Sequence, residues 1–255
     1  TVLGTQTHLK NPSITNIKAY HDKWYVPNNM AIVLSGDFNP DEAVDIISRY
    51  FGDMKPNTEL ESQRLKVVAE KPFSEPQRAE VWGNDAERLF LAWRIPANSD
   101  KEMVTLQVME QVLQNGSAGL IDIDIKQAQK LNGAGCGMYN MADQGAFMLI
   151  GVPRGGQNLR DVETILMAEV DKLRKGDFSD KLIDAIRANL ELELQKSFLE
   201  NGDRADYFVE AFVNGQSWAD AVAELEALKN VTKADVVAAA NKYLGANDYV
   251  AIDKR

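Results

Sequence analysis

The chain contains two histidines, His8 and His21, which are its first candidates for metal binding or acid–base chemistry. A zinc site on one helix needs paired histidines at a spacing such as His-x-x-Glu-His or His-Glu-x-x-His. Neither histidine fits, because Leu-Lys-Asn-Pro follows His8 and Asp-Lys-Trp-Tyr follows His21. We therefore predict no metal ligand and no catalytic residue in this chain, and we interpret His8 as solvated and His21 as structural or exposed.

Cys136 is the single cysteine, so an intrachain disulfide is excluded. A catalytic thiol needs a base, usually histidine, and His8 and His21 both belong to a different predicted unit of the chain from Cys136. The glycines around Cys136 instead suggest a strand that packs closely against a helix. A thiol enzyme remains an alternative, and it would require that alkylation of Cys136 abolish an activity.

Two other polar features of the sequence are candidates for binding sites. The segment at residues 153–157, Pro-Arg-Gly-Gly-Gln, could bind an anion, but it lacks the phosphate-loop spacing and is equally typical of a strand-to-helix turn. Glu191, Glu193 and Glu200 lie on a predicted long helix without a partner cluster. We interpret them as a solvated helix face, and the substrate-binding residues stay unknown at this stage.

Composition narrows the class of protein. The 255 residues are 45% hydrophobic, enough for a substantial core, and carry a net charge of −10. The basic residues form no run, which argues against nucleic acid as a partner. No stretch reaches the roughly 18 apolar residues of a membrane span. The first residue is not methionine, as expected of a processed or truncated chain, and both periplasm and cytoplasm are compatible with the sequence.

A helix-turn-strand pattern occurs twice. Residues 13–33 shifted by 219 positions fall without a gap on residues 232–252. The shift aligns residues of the same kind: Ser13 with Thr232, Ile17 with Val236, Lys23 with Lys242, Trp24 with Tyr243 and Asn28 with Asn247. The repeat predicts a structural unit of about 219 residues that ends in this pattern. The first copy would then be the end of a unit whose beginning lies upstream.

The pattern of apolar residues predicts the elements that follow. In the first copy we expect a helix capped by Ser13 with a buried face, then a buried strand at residues 30–34. A helix capped by Asn39 should bury Val44, Ile47 and Phe51 and end at Gly52. The remaining predicted strands are residues 88–95, 133–140 and 146–152, and the remaining helices follow Asn98–Asp100 or cover 120–131, 159–175, 180–199, 203–214 and 217–228.

These elements predict an α+β fold in which helices pack on one face of a largely antiparallel sheet. We assign residues 1–52 to the C-terminal piece of a first unit. Residues 53–75 are assigned to a linker and 76–255 to a complete second unit.

With these residues in view, the chain resembles the pitrilysin/insulinase family of zinc peptidases, which includes the mitochondrial processing peptidases. In the first unit the resemblance lies in residues 25–30, 33–37 and 50–52. In the second unit it lies in residues 91–96, 116–120, 145–147 and 231–232.

The resemblance implies that such units pair like a clamshell around an unfolded peptide. The first unit of a catalytic pair carries His-x-x-Glu-His and a later glutamate, and the zinc-bound water is activated with the motif's glutamate as base. No residue here matches that motif, so zinc is expected in the upstream unit and this chain alone should be inactive and metal-free. Its partners would be the N-terminal zinc unit, in the same polypeptide or a separate subunit, and peptide substrate.

One departure from the family keeps an alternative open. Many non-catalytic units present an arginine and a tyrosine about seven residues apart to substrate. The corresponding positions here are near Lys126 or Gln127 and near Gly133 or Ala134. Either this branch binds substrate differently, or the protein is a non-catalytic scaffold or binding subunit derived from the same peptidases.

Overall fold

The described residues form a sheet of five strands. A computed structural model describes residues 4–66, 68 and 71–255. The strands run in the order β1-β5-β2-β4-β3. β1 and β5 pair in parallel, whereas the other three pairs are antiparallel. The strand bounds are β1 Gln77–Val81, β2 Arg88–Ile95, β3 Gly133–Tyr139, β4 Gly145–Val152 and β5 Val250–Lys254.

Helices account for most of the remaining regular structure in the described residues. Their bounds are α1 Gln6–Lys10, α2 Ile14–Trp24, α3 Pro40–Phe51, α4 Met103–Leu113, α5 Leu159–Lys175, α6 Asp180–Ser197, α7 Asn201–Val213, α8 Trp218–Asn230 and α9 Lys233–Tyr243. The caps follow the sequence. Ser13, Asn39, Ser179 and Thr232 accept backbone hydrogen bonds at four helix starts, and Gly176 ends α5 in the left-handed conformation.

One face of the sheet is covered by helices. Along β2, Leu89, Leu91, Trp93 and Ile95 are buried, and the alternate positions are half-buried. Helices α4, α5 and α9 pack against the sheet, and α5 contacts both β2 and β4. The predicted α+β fold is confirmed, and α4 buries Val108, Met109, Val112 and Leu113 fully.

Ion pairs fasten the parallel edge strand to this core. Arg78 of β1 donates to Asp253 of β5 and to Glu163 of α5. The Tyr249 hydroxyl donates to the same glutamate at 2.7 Å, and burial raises the pKa of Tyr249 to about 12. β1 was not predicted, because its short polar sequence becomes a strand only beside β5.

Other predictions need correction. Residues 6–10 are helical rather than extended, since Thr5 caps them. The helix predicted at residues 120–131 is mainly a π-helix, Asp122–Gln127. α4 begins only at Met103; Asp100 contributes by accepting a hydrogen bond from the Glu102 amide at 2.9 Å.

The first copy of the repeat differs most from expectation. Residues 30–34 form no strand, and Met30, Ile32 and Leu34 are 39%, 48% and 51% exposed. The helix face expected in a core is also exposed, with Ile17 at 54% and Tyr20 at 62%. In α3, Val44 and Phe51 are exposed and Ile47 is half-buried. The physical reason is that a strand needs neighbouring strands, and none of the described residues pairs with this segment.

The predicted linker is irregular in its described part, apart from a 3₁₀ turn at Glu61–Gln63. Residues 67, 69 and 70 of it lie outside the described residues. Asn57 and Asn28 exchange two hydrogen bonds of 2.9 Å, so the start of the predicted linker is fastened to the first copy. At the other end, the Phe73 amide donates to Asp248 Oδ1 at 2.8 Å.

Candidate functional site

The two histidines remain apart from any catalytic arrangement. His8 is exposed on α1. His21 stacks on Tyr25 with ring centroids 4.7 Å apart and lies 3.4 Å from the Asp22 carboxylate. Both contacts join neighbours on one exposed helix end, which is the structural setting predicted for His21.

Cys136 lies in β3 with its side chain toward α4. Its Sγ is 3.6 Å from the Glu110 carbonyl oxygen, and its amide donates to Gln114 Oε1 at 2.8 Å. Burial, and then the negative charge of Glu110, raises the pKa of the thiol far above its usual range. A thiol in this environment stays protonated and is a poor nucleophile.

The turn at residues 153–157 uses its polar groups internally. Arg154 donates to the Gln129 carbonyl, and Gln157 donates to the Lys130 carbonyl at 3.1 Å. The Arg154 amide donates to Gln157 Oε1 at 2.8 Å. These bonds join the β4–α5 turn to the end of the π-helical region, so the structure favours the turn interpretation over an anion site.

The three glutamates of the α6 region do not converge. Glu191 lies 3.7 Å from Lys229, while Glu193 and Glu200 are exposed. This agrees with a solvated helix face. Across residues 4–66, 68 and 71–255, no group of three or more histidine, cysteine, aspartate or glutamate side chains could hold a metal ion. The described residues therefore offer no fitting set of zinc ligands. The resemblance implies zinc in the upstream unit and not in this chain.

The positions that correspond to the family's arginine and tyrosine are engaged locally or carry no polar side chain. Lys126 donates to Asp122 at 3.1 Å, and Gln127 donates to the Ser117 carbonyl at 3.0 Å. Asp122 is buried, which opposes its charge. Backbone donors at residues 115 and 116 and the Lys126 ammonium nevertheless hold its pKa below the usual value. The polar side chains of the π-helix thus bind one another and the neighbouring loop at residues 115–117, and in this arrangement they are not directed to a substrate.

A cleft of about 340 Å³ lies between α4, the end of β3, α7 and α8. Its walls include Met103, Met138 and Ala211 together with Glu110 and Glu224. Burial raises the pKa of both carboxyl groups. Glu224 accepts a hydrogen bond from Gln216. The cleft is mixed in polarity and is a feature that the sequence did not indicate.

The face of the sheet opposite to the helices is a second regular surface beside the core. We call it the open face. The strand register places these residues on it: Gln77, Ala79 and Val81; Val250, Ile252 and Lys254; Arg88, Phe90, Ala92 and Arg94; Ala146, Met148, Ile150 and Val152; Gly133, Gly135, Gly137 and Tyr139. On β2, β4 and β5 all of these side chains are half-buried, in alternation with the buried ones.

The open face is apolar at its centre and positive at its ends. Phe90 lies opposite Ile252 on one side and Ile150 on the other. Arg88 and Lys254 are paired at one end, and Arg94 lies at the other. The spacing of the arginines in the sequence indicates this charge pattern. Arg88 and Arg94 are six residues apart in one strand, so they lie on the same face.

A second apolar surface lies at the other end of the chain. We call it the N-terminal patch, made of Ile14, Ile17, Tyr20, Tyr25, Met30, Ile32, Leu34, Phe38, Val44, Ile46, Tyr50 and Phe51, each at least 39% exposed. The exposure of this many apolar residues within one segment indicates an interaction surface. Beside the patch, Arg204 of α7 donates to Ser35 Oγ at 3.1 Å.

The sequence of the chain is similar to those of a peptidase-related family and of named proteases. Residues 13–190 match the family described as "Peptidase M16 inactive domain". The zinc protease PqqE of Helicobacter pylori is 22% identical over 251 residues, which cover 95% of this chain and 55% of that protein. The chain therefore spans little more than half the length of this relative.

Solved structures show the same fold. A protease from Helicobacter pylori superposes with a TM-score of 0.85 at 18% identity, covering 99% of this chain and 61% of that one. The periplasmic protease PqqL of Escherichia coli gives a TM-score of 0.73 at 16% identity, covering 99% of this chain and 29% of that one. None of the helices in the described residues has the length and apolar character needed to cross a membrane.

Proposed function

The chain belongs to the family of peptidase M16 inactive domains, and from this premise we propose that it forms the substrate-chamber partner unit of a zinc-protease-like protein. The resemblance to the pitrilysin/insulinase zinc peptidases is thereby confirmed. In this proposal residues 1–52 complete an upstream zinc-type unit, 53–75 are the linker and 76–255 are the non-catalytic unit. Peptide hydrolysis would take place in the assembled pair.

The observation that carries the proposal is the exposure of the N-terminal patch. Its Ile32 corresponds to Ala251, which is 0% exposed in the centre of the sheet. Burying the patch in an upstream sheet would remove from water residues that already have the pattern of a core. The stabilisation would be about 25 cal/mol for each Å² of apolar surface covered.

The length of the relatives supports an upstream unit of this kind. This chain covers 55% of the PqqE protein, which leaves a length comparable to that of one further unit. The second copy also shows what the first would need. β5 pairs with β1 on one side and β2 on the other, so we expect residues 30–34 to become a central strand between two upstream strands.

The test is reconstitution with the upstream unit of the intact protein. We expect this chain to bind that unit, to yield about one zinc per complex, and to show chelator-sensitive peptidase activity only when both are present. Ile17→Asp and Ile32→Asp should prevent assembly, because each places a charge in the buried interface. Asp41→Asn, on exposed α3 and outside the patch, is the matched control. Robust chelator-sensitive cleavage by the 255-residue chain alone would disprove the proposal.

A second candidate is a non-catalytic scaffold subunit. It is favoured by the positions near Lys126 and Gly133, which offer neither the arginine nor the tyrosine and are engaged locally where polar. The zinc content of the intact protein, purified without added metal, separates the two candidates. About one zinc per complex supports the peptidase, whereas no zinc and no cleavage support the scaffold.

The periplasmic location named for PqqL supports a periplasmic rather than cytoplasmic setting.

A further inference from the structure

We propose that the open face binds an unfolded peptide segment that is apolar and carries an acidic side chain. This inference rests on the proposed function, since it names the class of peptide that the partner unit would hold. The occupant is an extended substrate segment, because the apolar centre of the face runs along the strands between cations at their two ends.

The apolar centre provides the contact area. Phe90, Met148, Ile150 and Ile252 lie side by side on adjacent strands and are only half-buried. Beyond them β3 presents only glycine at positions 133, 135 and 137 of this face, before Tyr139. At Gly135, which is buried, Gln114 Oε1 lies 2.9 Å from the position that a Cβ would take, so the room beside β4 lies at Gly133 and Gly137, where an extended peptide can contact Met148.

Charge complementarity identifies the chemistry of the peptide. The strand positions of the open face contain three cations, Arg88, Arg94 and Lys254, and no carboxylate. The whole chain has the opposite balance, with 38 acidic and 28 basic residues. The carboxylates of β1 and β5, Glu80 and Asp253, are on the helix-covered face by the same register. A peptide on the open face therefore meets a positive field on a negatively charged protein.

The neighbours of the three cations differ. Lys254 donates to the Asp85 carbonyl at 2.9 Å and lies 3.9 Å from its carboxylate. Arg94 donates to the Lys71 carbonyl at 2.9 Å and stacks on Phe73 at 4.3 Å. For Arg88, the buried Nε has no hydrogen-bond partner among the described residues. We therefore assign the acidic side chain of the peptide to Arg88, whose guanidinium would donate to the carboxylate.

The dimensions suit a short extended segment. Arg88 and Arg94 are six residues apart in one strand, which at about 3.3 Å per residue places them roughly 20 Å apart. A peptide of about seven residues in extended conformation spans this distance and covers the apolar centre. Its acidic side chain would lie at the Arg88 end.

The experiment is a calorimetric titration of the 255-residue chain with three peptides of about seven residues. Each is acetylated and amidated, so that no terminal carboxylate is present, and is built of leucine and alanine around one Glu, Gln or Lys. We expect the Glu peptide to bind about threefold more tightly than the Gln peptide and the Lys peptide to bind most weakly, with the difference reduced by salt.

Two variants locate the site. Arg88→Gln should remove the preference for Glu over Gln, while Arg160→Gln, an exposed arginine on the helix-covered side, should preserve it. Phe90→Ser should weaken all three peptides without changing their order. Circular dichroism verifies that each variant is folded. A tighter Lys peptide, no charge preference, no binding at all, or a preference that survives Arg88→Gln would each overturn the inference.

A free C-terminal carboxylate is a different source of the same charge. If an unblocked Gln peptide binds while the blocked Glu peptide does not, the acidic side chain is not what the face recognises and the inference fails. The proposed function is judged separately by zinc content and cleavage in the intact pair. Those outcomes do not depend on which peptide this chain prefers.

Discussion

The two copies of the helix-turn-strand pattern have similar sequences and opposite surroundings. Ile17 is 54% exposed, whereas its counterpart Val236 is fully buried. Tyr25 is 52% exposed and its counterpart Leu244 is 0% exposed. The helix forms in both copies, since Ser13 and Thr232 each accept a backbone hydrogen bond at the helix start. The strand forms only in the second.

The difference shows which parts of the pattern are local. A helix satisfies its backbone hydrogen bonds within itself, so its cap and its composition are sufficient. A strand satisfies them only with a neighbour, and β5 has one on each side. The apolar residues of the first copy are therefore exposed, whereas those of the second are buried between β5, its two neighbouring strands and the helices.

The largest expected difference between the copies is in amide hydrogen exchange. The amides of β5 should exchange at least about a thousandfold more slowly than those of residues 30–34, because β5 opens only with the core. Mass spectrometry of exchanged peptides measures this. Binding of the upstream unit should slow exchange at residues 30–34. Equal protection of the two segments in the isolated chain would remove the basis of the comparison.

The next largest expected difference is in the free energy of unfolding after an aspartate is introduced at matched positions of the two copies. Val236→Asp places a carboxylate in the core and should lower the free energy of unfolding by about 3–5 kcal/mol. Ile17→Asp should change it by less than about 0.5 kcal/mol in the isolated chain, because the site is exposed. Urea denaturation followed by circular dichroism measures both. A loss of the same size at Ile17 would mean that the patch is already buried in solution.

The smallest expected difference is a pH dependence at the helix caps. Asp235 accepts hydrogen bonds from the Thr232 hydroxyl at 2.6 Å and amide at 2.8 Å, which hold its pKa below the ordinary value. A lowered folded-state pKa adds stability above the unfolded pKa of about 3.9, and that stability is lost as pH falls through the folded value. The counterpart of Asp235 is Asn16, which does not titrate.

Asp235→Asn should therefore destabilise the chain at neutral pH, and the deficit relative to the wild type should disappear below the folded pKa. Asn16→Ala serves as the comparison and should show no pH-dependent difference from wild type in this range. Urea midpoints at neutral pH and at progressively lower pH provide the measurement. A deficit that stays constant with pH would contradict the assignment of the cap's charge.

The sequence could predict much of the second unit because its signals are local. Alternating and helical apolar patterns located β2, β4, α4 and α5, and the caps placed the ends of α5 close to their observed positions. β1 was missed, since its residues become a strand only through the parallel ladder to β5. The open face was missed because Phe90 and Ala92 make the centre of β2 apolar on this face as well, and only the register shows which residues the helices cover.

By itself the sequence determined the helix caps, the repeated pattern and the lack of a zinc-peptidase motif, because each depends on residues close together in the chain. The tertiary structure decided which apolar residues are buried and which face of the sheet is open. It also decided that Arg88, Arg94 and Lys254 lie on the same face. Those outcomes depend on contacts between residues far apart in the chain. A strand or an apolar face takes its role from what packs against it, and this information is not present in its own sequence.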